Sequence, residues 1–160
     1  MVILIIPAMK HIGPDLHKTK PMLNETVSTL MTRHVVTIEI RESLEKAQTL
    51  MQQNHIRHLP VVRKGHLIGM LSLTDLMRLS FSDNFGEIEA DADVAIFKML
   101  GIRHVMKSHP EAITPEHTVR EAAEILSNRE YHALPVVNDG IVVGIVTTTD
   151  LIRYFLKHAD

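Results

Sequence analysis

No cysteine occurs in the chain, which excludes disulfides, thiolate nucleophiles, cysteine-ligated zinc and iron–sulfur clusters. Tryptophan is absent as well, and four phenylalanines and two tyrosines are the whole aromatic complement. They do not alternate with a basic stripe, so the stacking platform that holds single-stranded nucleic acid is missing. Neither sign of charge dominates: 17 basic against 19 acidic residues leave a net charge of −2, and no global field draws the chain to nucleic acid or anionic lipid. The opening apolar run, Val2 to Ile6, is far shorter than the ~20 residues that span a bilayer and has no basic region ahead of it. It reads as an edge strand or a contact with a second subunit, and the cytoplasm is the expected compartment. There is no Gly-x-x-x-x-Gly-Lys-Ser/Thr phosphate loop, so nucleotide hydrolysis lacks visible machinery.

What is present is enough to fold. Apolar residues make up 45% of 160 residues and charged residues 22%, the composition of a globular chain of about one domain, at roughly 150 residues per domain. The dominant feature is an internal duplication: Met31 to Arg78 lies over Met106 to Arg153 without a gap, an offset of 75 residues. Leu59-Pro60-Val61-Val62 falls on Leu134-Pro135-Val136-Val137, Gly69 on Gly144, and Thr74-Asp75-Leu76 on Thr149-Asp150-Leu151.

Each copy predicts the same elements. Ser43 precedes Leu44, Ala47, Leu50 and Met51 at helical spacing, and Thr118 with Glu121 has the capping-box spacing ahead of Val119, Ala122 and Leu126. Two β-rich runs follow, turned by Lys64-Gly65 in one copy and Asp139-Gly140 in the other, and a helix begins near Thr74-Asp75 or Thr149-Asp150. The fold class is α/β (α+β-like): two β-α-β-β-α units, each too small to bury its own surfaces, packed through their sheets with pseudo-two-fold symmetry. The expected boundaries are an N-terminal extension at 1–20, unit one at 21–79, an acidic linker at 80–93, unit two at 94–156 and a tail at 157–160. The acidic linker reads as a solvated connector or as a docking surface for a basic partner.

At both strand-to-helix junctions a hydroxyl and a carboxylate stand three residues apart, Ser72 with Asp75 and Thr147 with Asp150. Two readings fit. The carboxylate accepts from the two hydroxyls of a ribose while the hydroxyl and helix-terminal N–H groups meet phosphate, or the pair caps the helix.

With its Leu-Pro-Val-Val strands and the Gly69, Ser72, Asp75 and Gly144, Thr147, Asp150 endings, the chain resembles the family of paired CBS domains, or Bateman modules. The resemblance covers roughly 26–156. It implies a non-catalytic regulatory module that senses AMP, ADP, ATP or S-adenosylmethionine, without a required cofactor, commonly as a homodimer and commonly serving an effector protein. In copy two it assigns Asp150 to ribose, Thr147 to the ribose–phosphate portion, Thr114 to phosphate, and Ile113 with the Tyr131-His132-Ala133 stretch to the base pocket, from which His132 also reaches phosphate if its side chain turns inward. In copy one it assigns Ser72 and Asp75 to the corresponding roles, with Ile38, Ile56, Arg57 and His58 beside base and phosphate. Glu39 stands where copy two has Thr114, so this second carboxylate is expected to repel a phosphate unless Arg57 compensates. A ligand-independent interaction module is the alternative. A metal-dependent enzyme is the other, prompted by eleven histidines, but His55-x-x-His58 runs into Leu59-Pro60 and no His-Glu-x-x-His run exists.

Overall fold

The computed structural model describes residues 22–81 and 99–159; the Val2 to Ile6 run and most of the acidic linker lie outside the described residues. Unit one comprises β1 (Ile38–Glu39), α1 (Leu44–Gln53), β2 (His58–Arg63), β3 (His66–Ser72) and α2 (Leu73–Phe81). After α3 (Ile102–Val105) and β4 (Lys107–Ser108), unit two supplies α4 (Val119–Ser127), β5 (Ala133–Asn138), β6 (Ile141–Thr147) and α5 (Thr148–Lys157). The expected β-α-β-β-α repeat is observed, with the first strand of unit two reduced to a single parallel bridge of Ile113 to Val136.

Local chemistry explains these boundaries. The Ser43 hydroxyl accepts from Lys46 N–H at 3.2 Å to start α1, and Thr118 and Glu121 form the reciprocal capping box of α4. At the hairpins, Lys64-Gly65 and Asp139-Gly140 hold φ of 53°, 82°, 50° and 79°, the two successive left-handed residues that a tight hairpin turn requires. The last helix of each unit begins earlier than Thr74-Asp75 and Thr149-Asp150 indicate. Its cap is Ser72 or Thr147, and the aspartate sits three residues inside.

The strands form one mixed sheet in the order β1-β2-β3-β6-β5, with β4 also on β3. The halves meet where His66 faces Ile141 and Leu67 N–H donates to Gly140 O at 2.9 Å. They are further tied by a reciprocal exchange. Lys107, from the segment leading into unit two, pairs with Met70 of unit one, while Thr32, from the segment leading into unit one, pairs with Ile145 of unit two. Side chains cross too. Val27 and Met31 are buried in the unit-two core with Ile113, Leu134 and Val146, whereas Ile102 is buried in the unit-one core with Leu44, Leu59 and Leu71.

The exchange accounts for the repeated glycine ahead of each junction. A Cβ on Gly69 would lie 2.4 Å from the Met106 sulfur, and one on Gly144 would lie 2.5 Å from the Met31 sulfur. Gly144→Ala is therefore expected to lower stability by about 1–3 kcal/mol through overpacking. Urea denaturation of Gly144→Ala, Met31→Ala and the double variant should give a clearly non-additive cycle, and strict additivity would contradict the contact.

Candidate ligand cleft between the units

Both junctions close into the same hydrogen-bonded ring. Ser72 Oγ donates to Asp75 Oδ2 at 2.5 Å and accepts from Asp75 N–H at 3.1 Å. Thr147 N–H and Oγ1 donate to Asp150 Oδ2 at 2.9 and 2.6 Å, and Asp150 N–H returns a bond to Thr147 Oγ1 at 3.2 Å. The capping reading is thus realised at both ends. Because the caps use Oδ2, Oδ1 of each aspartate has no hydrogen-bond partner among the described residues, and both aspartates are partly exposed.

A cleft of about 740 Å³ opens beside the first of these rings. One wall is unit one: His58, Ser72, Asp75 and Arg78. The facing wall comes from unit two and its leading segment, with Lys107, Glu111, Arg129, Tyr131, His132 and Ala133. Tyr131, His132 and Ala133, grouped by repeat with Asp150, also line the cleft beside Asp75, while Ala133 remains paired with Thr147 and the His132 carbonyl accepts from Thr148 N–H. The β3–β4 pairing, Met70 opposite Lys107, holds the two walls together.

The remaining candidates lie elsewhere. Ile38 and Ile113 are 2% and 1% exposed, deep in their cores, and Ile113 commits its N–H and carbonyl to Pro135 and Val137. Thr114 is engaged by His117, its N–H donating to Nδ1 at 3.0 Å. Ile56 packs partly against the unit-one core and Arg57 is exposed, its carbonyl accepting from Leu73 N–H at 2.8 Å. Glu39 accepts from Lys64 N–H at 3.0 Å and pairs with Val62, four residues along β2 from His58. At about 3.3 Å per residue its backbone stands roughly 13 Å along the sheet from the Ser72 end.

Electrostatics mark the cleft. Burial and the charge of His132 lower the pKa of His58, only partly opposed by Asp75, which favours its neutral imidazole. On the facing wall Tyr131 donates its hydroxyl to Glu111, Arg129 Nε lies 3.4 Å from the same carboxylate, and Lys107 Nζ sits 4.9 Å from the Tyr131 ring centroid. Desolvation and the Glu111 carboxylate push the Tyr131 hydroxyl up to about 12; desolvation and Glu25 do the same for Tyr154. The sign follows from linkage. A phenol whose folded pKa exceeds its unfolded value near 10 stabilises the fold below pH 10, and that stability is lost as pH rises towards 12. Spectrophotometric titration should show both tyrosines ionising well above pH 10 in the folded chain, with Tyr131→Phe flattening the alkaline loss of stability; midpoints near 10 would contradict the assignment.

Among the described residues metal ligation has little to build on. α1 ends at Gln53, so His55 and His58 share no helical face, and His104 Nδ1 accepts from Gly101 N–H at 3.1 Å. Among the described residues no group of three or more His, Asp or Glu side chains is placed to hold a metal ion. No helix among them is long and apolar enough to cross a membrane.

Repetition hinted at Arg78 through Arg153, but no such signal marked Lys107, Glu111 or Arg129, whose counterparts Thr32, Val36 and Asn54 differ in chemistry. Comparison with known proteins agrees with the architecture. The sequence profile of the CBS domain matches residues 27–82 and 102–157. MJ1225 of Methanocaldococcus jannaschii is 29% identical over 133 residues, covering 82% of this chain. Its crystal structure superposes with a TM-score of 0.72 at 28% identity, covering 86% of this chain and 51% of that one. The crystal structure of CBSX2, an Arabidopsis thaliana protein, in complex with AMP has a TM-score of 0.68 at 26% identity, covering 82% of this chain and 96% of that one. The chain spans half or less of the curated relatives it matches first, 48% of MJ1225 and 33% of MJ1404 from the same organism.

Proposed function

The chain belongs to the CBS domain family, with the domain present twice, and from that premise we propose that it is a non-catalytic regulatory module whose clefts bind an adenine nucleotide or related adenosyl ligand. The observation that carries this reading is the cleft in which Ser72 and Asp75 of one unit face Tyr131 and His132 of the other. The free Oδ1 of Asp75 accepts from a ribose hydroxyl, Ala133 and the Tyr131 ring supply apolar surface for the base, and the His58 imidazole donates or accepts at the 5′ substituent. CBSX2, the relative solved with AMP, supports the ligand class. A ligand that touches both walls favours one relative placement of the units, and this differential affinity is the means of regulation.

Assembly with a second copy is part of the proposal. Met77 on α2 and Ile152 on α5 occupy equivalent positions in the two units and are 48% and 53% exposed, with Leu156 70% exposed beside Ile152. Apolar side chains repeated on related helices suit a two-fold partner. Thermal-shift titration with AMP, ADP, ATP and S-adenosylmethionine should give a saturable rise in Tm for at least one of them. No shift with any, while sedimentation still reports an unchanged dimer, would favour the ligand-independent interaction module instead.

A further inference from the structure

The two methionines that seat the exchanged segments are repeat counterparts, Met31 and Met106, 75 residues apart. Each sets its sulfur against a glycine of the other unit, Met31 on Gly144 and Met106 on Gly69, so closely that no methyl group fits between. The packing is the same on both sides, but the access differs. Met31 is 8% exposed and packed into the unit-two core with Val27, Val136 and Val146. Met106 is only partly buried, and it lines the cleft beside Asp75.

An accessible thioether reacts with peroxides. A sulfur lone pair attacks one peroxide oxygen, the S–O bond forms as the O–O bond breaks, and after proton transfer water leaves; the sulfur is oxidised and the peroxide reduced. The product is polar, and its oxygen is a hydrogen-bond acceptor. Met106 offers that oxygen poor surroundings. On the Gly69 side there is no room for a further atom, the Lys107 carbonyl beside it is itself an acceptor, and the side chain packs against the unit-one core. An acceptor forced into such a place without a donor is unfavourable. The damage falls on the joint between the halves, because Met106 immediately precedes Lys107, whose pairing with Met70 holds the two cleft walls together.

We propose that Met106 is an oxidation site through which a peroxide loosens the joint between the two units, and that Met31 is its shielded counterpart. The site needs no bound ligand, so its test is run without one and stands apart from the adenosyl-binding reading.

Hydrogen peroxide is titrated against the native chain, with sulfoxide at each methionine read by peptide mapping, stability by Tm and local opening by hydrogen exchange. Met99 and Met77, 83% and 48% exposed, calibrate the dose. Sulfoxide should form at Met106 about fivefold or more faster than at Met31, because susceptibility follows exposure. Tm should fall by about 4 °C or more, in step with Met106 rather than with Met99, Met77 or Met70, which also lines the cleft. Exchange should rise most at β3 and β4. Met106→Leu, a volume-conserving change, should hold its Tm through the same dose, whereas Met70→Leu should lose stability as the native chain does. If Met106→Leu itself melts early, the dependence of Tm on Met106 sulfoxide within the native chain decides. Oxidation of Met106 no faster than that of Met31, Met106 sulfoxide without a fall in Tm, or an equal peroxide-induced fall in Met106→Leu would overturn the proposal.

Discussion

Ile102→Ala should destabilise the chain by about 2–5 kcal/mol, the cost of emptying a fully buried isoleucine site. The location of the damage is as informative as its size. Ile102 stands at the start of α3, ahead of unit two in sequence, yet its side chain is packed with Leu44, Leu59, Val61 and Leu71 of unit one. Hydrogen exchange should therefore accelerate most at β2 and β3. Its counterpart Val27 is buried with Leu134, Val136 and Val146, so Val27→Ala should accelerate exchange at β5 and β6. If each substitution instead loosened only the unit that follows it in sequence, the exchange of leading segments would be contradicted.

The second large effect concerns the ligand. Replacing Asp75 and Asp150 together by asparagine keeps an oxygen acceptor for each cap and removes the negative charge offered to a ribose diol. Hydrogen bonds to a charged partner contribute about 1.5–3 kcal/mol, so AMP affinity should fall by roughly 10- to 100-fold. Stability should change far less, because the Ser72 and Thr147 hydroxyls still accept from the aspartate-position N–H groups. A fall in Tm without any change in affinity would restrict both aspartates to capping.

Much of the fold was legible because its determinants are local and repeated. Asp139-Gly140 encodes its turn through left-handed backbone, and Thr118 with Glu121 encodes the start of α4 through two hydrogen bonds three residues apart. The exchange of segments was not legible. Val27 and Ile102 are merely apolar, and which core an apolar side chain enters is decided by tertiary packing rather than by spacing. The same fact explains the site. Ser72 and Asp75 were readable as a pair because the repeat displays them twice, but the wall they face is set by the crossing of Lys107 onto Met70. Spacing alone groups Tyr131 and His132 with the aspartate of their own repeat, beside which the His132 carbonyl does bond, and carries no sign of their second neighbour Asp75 across the cleft. Glu111, which contacts both Tyr131 and Arg129, aligns with Val36, so the repeat does not mark it.

A crystal structure grown with saturating AMP bears most directly on the central claim. The expected result is nucleotide lodged between the two halves of the chain, its sugar hydroxyls on the outward oxygen of a junction aspartate. Nucleotide bound only on a surface remote from both junctions, or those openings closed by side chains with none bound, would contradict it.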